Sequence, residues 1–432
     1  MEWGIFVFRR DLRLKDNLGL IASKNVVPIF ILDPEQISVK NKYRSLRAIQ
    51  FMVESIEDLS RQIKKKDGKL YVFQGSPKII LKKLCKKYKP NFVAANEDYT
   101  EYSKNRDEEI AAEINCPFNL YTDSLLVPLE SVKNGQGNYY QKFTPFYDKA
   151  KIIKVPNPIP YSGKFILIPE SISKLPQNNC VKIVKGGTDE GMKLLKAYDG
   201  INSLSKGVGK SVSINSPTSK GVGKDVGINL STGRNVGINS SSNGVGINPS
   251  SKVVGILNAS SHLSAYNKFG CVSIRQVYHE INSVDFRRNL YWRDYYYRPN
   301  KVNYKAKAMS ETQKKKFVLW KKGETGCDIV DAAMIELNTT GYIQNRCRML
   351  TASYLVKYLG IDWKYGEQYF ATQLTDYDPS QNAGGWRWCA SVGPDSQPSF
   401  QHFNFEIQAK KYDPSGNYRN YYLNNTGFFN KK

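Results

Sequence analysis

The sequence predicts two joined classes of structure: an N-terminal doubly wound parallel α/β domain and a C-terminal domain that is all helix. Three observations carry this. Five short apolar or aromatic runs alternate with helical patterns over the first 125 residues. Beyond Ser264, apolar residues recur at i, i+3, i+4 and i+7 without strand alternation, and that second stretch holds five of the six tryptophans.

The runs are residues 4–8 (GIFVF), 26–32 (VVPIFIL), 70–74 (LYVFQ), 91–95 (NFVAA) and 118–122 (FNLYT). Helical patterns lie between them, clearest from Arg44 to Lys65 and from Pro77 to Tyr88. Strands separated by helices imply right-handed crossovers, hence a parallel sheet covered on both faces, with ligands at the strands' carboxyl ends. No G-x-G-x-x-G follows any of the runs, so nothing here signals a dinucleotide. Residues 1–125 form this unit. A connector, 126–201, carries prolines at 128, 145, 156, 158, 160, 169 and 176 and is expected to be extended and turn-like. Residues 202–258 are a Gly/Ser/Asn-rich insertion, and 259–432 form the helical domain, with clear periodicity at Val330–Asn338 and Arg348–Leu359.

Within the insertion, GVGKSVSIN at Gly207–Asn215 and GVGKDVGIN at Gly221–Asn229 imitate the end of a phosphate-binding loop. Such a loop needs G-x-x-x-x-G-K-[ST] after a strand. The first glycine would fall at Leu204, and the second copy has Asp225 in place of the hydroxyl. The stretch reads as a degenerate repeat too poor in large apolar groups to bury a core, expected as a flexible surface loop.

Lys and Arg number 63 against 39 Asp and Glu, a formal charge of +24. An excess of that size favours a polyanionic partner, nucleic acid above all, over a merely solubilising surface. Seven cysteines, no two closer than twenty residues, supply neither a metal clip nor a disulfide framework. Only three histidines occur, which argues against zinc sites and histidine-assisted nucleophiles. Without a signal peptide or an apolar stretch of spanning length, the protein is expected to be soluble, intracellular and monomeric.

Four clusters in the helical domain carry chemistry. Ser260–Ser273 (SSHLSAYNKFGCVS) places hydroxyls at a helix start, a seat for phosphate or a plain N-cap. Asn289–Tyr297 (NLYWRDYYY), after Arg287 and Arg288, interleaves aromatics with arginine, to stack on bases or to fill a core. Thr340–Leu350 (TGYIQNRCRML) precedes Ile361–Asp395, where Asp376 and Asp378 flank a tyrosine ahead of Asn382, Trp386 and Trp388. Two close carboxylates with Arg346 and Arg348 upstream favour a charge-paired binding role over acid–base or metal chemistry.

These clusters, in this order, resemble the FAD-binding helical domain of the photolyase/cryptochrome flavoproteins. Its patterns include T-S-x-L-S, W-R-E/D-F/Y-Y, D-A-A-M-x-x-L-x-x-T-G-x-x-x-N-R-x-R-M and D-x-D-x-x-x-N-x-G-G-W-x-W. FVFRRDLRLKDN at Phe6–Asn17 and YYQKFTPFY at Tyr139–Tyr147 are similar to the family's opening and connector. The resemblance is closest to the class I-type cyclobutane pyrimidine dimer photolyases and covers almost the whole chain outside the repeats. It implies FAD held by Ser260, Ser261, Leu263 and Ser264 at its phosphates, with Phe286, Asn345, Arg348, Asp376 and Asp378 around flavin and ribose. An Arg348–Asp376 salt bridge would lie against the isoalloxazine, and Asn382 would sit by the flavin N5. UV-damaged DNA would be the partner. A flipped dimer would meet Asn289, Trp292, Asn345, Met349 and Trp388, with Arg293 and Arg346 near backbone phosphates. Light-driven electron donation from reduced FAD would then split it.

The sequence also departs from that family. Asn289 stands where cyclobutane-dimer enzymes place a carboxylate. Asn345 and Met349 replace the histidine pair of the animal (6-4) enzymes, which favours the cyclobutane dimer. Trp386 and Trp363 match two members of the usual electron relay, but the third aligns near Ser310, so either a tyrosine such as Tyr304 substitutes or photoreduction is slow. Ser103 and Lys104 stand in place of the folate-antenna contacts, so a second chromophore is unassigned. The competing readings are a cryptochrome-type light receptor, disfavoured by Asn382 and the absence of a long tail, a (6-4) photolyase, a cryptochrome-DASH type enzyme and a nucleic-acid-binding protein without cofactor.

Overall fold

The computed structural model describes residues 2–177, 180, 182–205, 260–299, 304–393, 395–396, 398–399 and 402–424. The Gly207–Asn258 repeats, expected to form a surface loop, lie outside them.

The five apolar runs become the strands β1 (Gly4–Phe8), β2 (Val26–Leu32), β3 (Tyr71–Gln74), β4 (Phe92–Asn96) and β5 (Phe118–Tyr121). All pair in parallel in the order β3-β2-β1-β4-β5, with Ile5 opposite both Val27 and Val93. Every residue of β1 and β2 is buried, as expected of central parallel strands covered on both faces. Around the sheet lie α1 (Leu18–Ser23), α2 (Pro34–Ile37), α3 (Leu46–Lys64), α4 (Pro77–Tyr88) and α5 (Glu101–Glu113). Side chains start four of them: Asn17 caps α1, Asp33 caps α2, Ser45 caps α3 and Thr100 caps α5. The strand order reverses between β1 and β4, which brings Arg9, Arg10 and Asp11 beside Asn96–Asp98 at the switch point.

The connector is more helical than its prolines suggest. It holds α6 (Phe143–Ala150) and α7 (Thr188–Ser205). Pro145 is the third residue of α6, where no intrahelical N–H is needed, and α7 begins after the last proline. The helical half then runs α8 (Ser264–Phe269), α9 (Ile274–Glu280), α10 (Val284–Tyr296), α11 (Glu311–Lys322), α12 (Asp328–Thr340), α13 (Asn345–Ser353), α14 (Trp363–Gln373), α15 (Pro379–Cys389), α16 (Phe405–Tyr412) and α17 (Asn417–Asn424). A single π-helical turn, Tyr354–Tyr358, ends the run expected to continue α13 to Leu359.

The cores cross the sequence boundaries. One face of the sheet (Phe6, Phe8, Phe30) shares a continuous core with α6 (Phe143, Phe146) and with α8–α10 (Tyr266, Phe269, Leu290). The other face has its own core under α4 and α5, and Trp320, Met334, Leu350, Phe370 and Trp386 centre a third among the later helices. Gly270, at φ 63°, ends α8 against the Arg10 carbonyl, where any Cβ would collide. Beside it the Leu12 N–H donates to the Phe269 carbonyl at 3.0 Å, so the segment after β1 is locked to α8. Among the described residues no helix is long and apolar enough to cross a membrane.

Candidate cofactor and lesion site

The loop before α8 is built from its own hydroxyls. Ser260 Oγ accepts from the His262 N–H (3.2 Å) and Ser261 Oγ from the Leu263 N–H (3.4 Å), while Leu263 is buried. His262 takes a positive φ of 51° and turns its ring to 5.0 Å from that of Tyr342. Tyr342 OH is hydrogen-bonded to Ser264 Oγ, and the Arg348 guanidinium lies 5.8 Å from the Tyr342 ring centroid. Arg348 Nη2 donates to Asp376 Oδ2 at 2.7 Å and its Nε to the Ile343 carbonyl at 3.0 Å. Two stretches joined by a contact across 78 residues thus meet on one tyrosine, whose side chain the chemistry-bearing motifs did not flag.

Three buried polar atoms here lack a protein partner: His262 Nδ1, Thr375 Oγ1 and Asp376 Oδ1. Burial holds the His262 imidazole below its usual pKa, only partly offset by the charge of Asp376, so the ring is neutral near pH 7. A buried carboxylate oxygen left unbonded is costly unless a ligand completes it.

The two aspartates flanking Tyr377 are divided between tasks. Asp378 caps α15, accepting from Ser380 N and Gln381 N at 3.0 Å each, and also accepts from Tyr297 OH at 2.5 Å and from Arg10 Nη2. Burial raises its pKa, but the charges of Arg10 and Lys268 outweigh burial and hold it well below the carboxylate range. Its oxygens are therefore taken up by protein donors, and Asp378 ties the carboxyl end of β1 to the start of α15 instead of standing open beside a ribose. Arg346 pairs with neither aspartate and lies over Tyr412 at 4.7 Å. Phe286 packs on Tyr198, with ring centroids 5.2 Å apart.

Asn382, in the first turn of α15, donates its amide to both the backbone carbonyl (2.9 Å) and Oε1 (3.1 Å) of Glu367. Both bonds use the NH2 group, which leaves the amide oxygen as the free end. Glu367 is itself buried, with Oε2 unbonded, and burial raises its pKa. One turn further, Trp386 is buried against Gly366 of α14, where a Cβ would strike its six-membered ring.

The expected lesion residues fall on three neighbouring helices. On α13, Asn345 is exposed and its Nδ2 lies 3.8 Å from Met349 Sδ, one turn on. Cys389 Sγ contacts the Met349 carbonyl at 3.7 Å, joining α13 to α15 and its partly exposed Trp388. α15 meets α10 where Gly384 abuts Tyr296. On α10, Trp292 stacks on Phe143 of the connector, centroids 3.7 Å apart and nearly parallel at 9°, with Asn289 exposed one turn before it. Arg293 does not join this surface. It is buried, donates to the Ser124 carbonyl and Asp294, and lies over Tyr297, so its guanidinium faces the α/β half and not a DNA backbone.

His262, Tyr342, Glu367 and Arg10 complete this arrangement, and none was singled out from sequence. His262 and Tyr342 sit inside stretches whose motifs were legible. Arg10 and Glu367 also sit inside quoted stretches, Phe6–Asn17 and Ile361–Asp395, but their roles carried no local signal, because their partners Asp378 and Asn382 lie 368 residues away and on a different helix.

Comparison with known proteins agrees with this geometry. Residues 5–161 match the family model for DNA photolyase, and residues 279–431 that for the FAD binding domain of DNA photolyase. The deoxyribodipyrimidine photo-lyase of Buchnera aphidicola subsp. Baizongia pistaciae is 30% identical, covering 98% of this chain and 89% of its own. That of Alkalihalophilus pseudofirmus is 29% identical, covering 96% and 86%. The crystal structure of an archaeal photolyase from Sulfolobus tokodaii with two FAD molecules superposes with a TM-score of 0.77 at 32% identity, covering 98% of this chain and 90% of that one. The cryptochrome of Synechocystis shares the fold at a TM-score of 0.78 and 22% identity.

Proposed function

The chain belongs to the DNA photolyase family, and on that premise we propose that it is a deoxyribodipyrimidine photo-lyase that repairs cyclobutane pyrimidine dimers in UV-damaged DNA with FAD as cofactor. The observation that carries this reading is the cradle in which the Ser260–Ser264 loop, Tyr342 and the Arg348–Asp376 pair converge around unbonded His262 Nδ1, Thr375 Oγ1 and Asp376 Oδ1. These groups fit a polar, phosphate-bearing cofactor: hydroxyls of the Ser260–Ser264 loop on one side and, on the other, the Arg348–Asp376 pair with Asp376 Oδ1 open as an acceptor.

When bound, FAD supplies the absorption of light and the transferable electron. The protein's part is positional. Arg348 and Asp376 fix charge beside the ring system, and Asn382, its NH2 held by Glu367, presents a carbonyl acceptor. That end suits a flavin N–H and would disfavour an approaching anion. Trp292, Trp388 and Met349 offer apolar faces for a flipped dimer, and Asn289 and Asn345 offer amides to its base edges. No protein nucleophile is needed, which suits a chain with three histidines. The +24 charge draws the DNA and makes binding salt-dependent. A single chain acting wherever DNA is accessible suffices.

The deciding experiment follows the thymine absorbance band of UV-irradiated oligothymidine incubated with the reduced, flavin-loaded protein. Recovery in light and not in darkness is the expected result. Tight FAD binding without repair of either photoproduct would replace the proposal with a light receptor.

A further inference from the structure

Trp386 has two aromatic exits, and they end differently. The inner exit leads to Trp320, 6.1 Å away between centroids, fully buried and with its Nε1–H bonded to the Thr351 carbonyl at 3.1 Å. From there Tyr369 is 5.8 Å on, and its hydroxyl meets the Asn338 amide oxygen (2.6 Å) and the Lys321 carbonyl (3.3 Å). Neither partner is a base. The outer exit runs along α14: Trp386 rests on Gly366, one turn from Trp363, whose ring lies 5.4 Å from that of Tyr304. Tyr304 OH donates to Asp362 Oδ2 at 2.6 Å. Tyr304 also lines a surface cavity of about 280 Å³ with Lys307, Gln313, Gly360, Asp362 and Trp363.

The geometry points to Tyr304 as the terminal electron donor of this chain and to Asp362 as the acceptor of its phenolic proton. The inference rests on FAD binding as proposed above, with the photoexcited isoalloxazine as oxidant. An electron lost from Trp386 is replaced from Trp363, and that of Trp363 from Tyr304. An oxidised phenol is a strong acid, so its proton must leave for the hole to be trapped. The acceptor has to lie within hydrogen-bond reach, as the Asp362 carboxylate does. The balance is one electron inward and one proton across the 2.6 Å contact, leaving a neutral tyrosyl radical and a protonated Asp362. A soluble thiol entering the cavity then gives a hydrogen atom to the radical, the resulting thiyl radicals pair as a disulfide, and Asp362 releases its proton to solvent. Burial, ahead of the Asp362 contact, pushes the Tyr304 phenol up to about 12, so it carries its proton at neutral pH.

Asp362 also caps α14 through Lys364 N (3.0 Å) and accepts from Lys307 N (3.0 Å). Asn is an equally good cap: with its single oxygen kept on the Lys364 N–H in place of Oδ1, its NH2 takes the place of Oδ2 beside the phenol and can only donate, so Asp362→Asn keeps the cap and removes the proton acceptor. The experiment is flash illumination of the oxidised, flavin-loaded protein with electron paramagnetic resonance and transient absorption. The wild type is expected to give a neutral tyrosyl signal. Tyr304→Phe is expected to lose it, Asp362→Asn to lose its long-lived part, and Tyr369→Phe to leave it intact. A signal that survives in Tyr304→Phe, or disappears in Tyr369→Phe, overturns the assignment. Dimer repair by chemically reduced wild-type protein, read separately, tests the photo-lyase function, so the two failures are told apart.

Discussion

Two buried polar clusters, one between the halves of the molecule and one in the cradle, handle the same problem in opposite ways. Between the halves, Arg13, Asp16 and Asp123 of the α/β half meet Arg275 of α9, all at least 95% buried. Arg275 donates to Asp16 (2.8 Å), to Asp123 (2.9 Å) and to backbone carbonyls, and Arg13 to Asp123 (2.7 Å) and the Gly270 carbonyl (3.2 Å). Every charged group there has its donors and acceptors matched inside the protein. In the cradle, His262, Thr375 and Asp376 do not. A buried group saturated by its own chain does structural duty, whereas one left open holds its place because a ligand finishes it.

The comparison can be broken most severely at Arg275. Arg275→Ala leaves Asp16 without a cationic partner and Asp123 with Arg13 alone in the interior, and a loss of about 3–5 kcal/mol in unfolding free energy is expected by denaturant titration. FAD retention should then fall only as the fold does. A stable variant that releases FAD would show that the interface serves the cofactor directly.

A second test uses a saturated group with an unusual charge state. Burial raises Glu336 to about 7, against Tyr418 OH donating at 2.5 Å. The folded state thus holds a proton that the unfolded state has released. Stability is fully present below about 4.5 and declines as pH rises to about 7, by up to about 3 kcal/mol. Glu336→Gln should flatten that decline, read from melting temperature across pH 4 to 8.

Smaller in stability but sharper in function is Asp376→Asn. Arg348 keeps the Ile343 carbonyl and some solvent, so folding should lose only about 1 kcal/mol, while FAD affinity should drop by roughly 2 kcal/mol, about thirtyfold, read from bound flavin absorbance. The reverse ranking would place Asp376 among the saturated, structural groups. The smallest effect is expected at Trp292→Ala: roughly 1 kcal/mol in affinity for dimer-containing DNA with FAD still bound. Loss of FAD instead would show that its stack on Phe143 supports the cradle rather than the lesion surface.

Legibility followed the reach of each interaction. The strands were readable to within a residue at each end because buried parallel strands are written as continuous apolar runs. Helix α5 was weaker, since only Ser103, Asp107 and Ile110 of its thirteen residues are buried. The Arg348–Asp376 pair was legible through motif resemblance and is present at 2.7 Å. The pairing of Asp378 was not, because its partner Arg10 lies 368 residues away. Arg293 was misplaced for a related reason: a helix shows which residues share a face, but not which face meets DNA and which meets the other half of the chain.

The sequence by itself therefore determined the α/β and helical classes, the polyanion-seeking charge and the motif order that marks a flavin site, all of which are local or additive properties. Only the tertiary structure decided which buried groups are closed and which await a ligand. That division depends on distances between residues hundreds of positions apart, and hydrogen bonds of 3 Å are set by packing that no local pattern encodes.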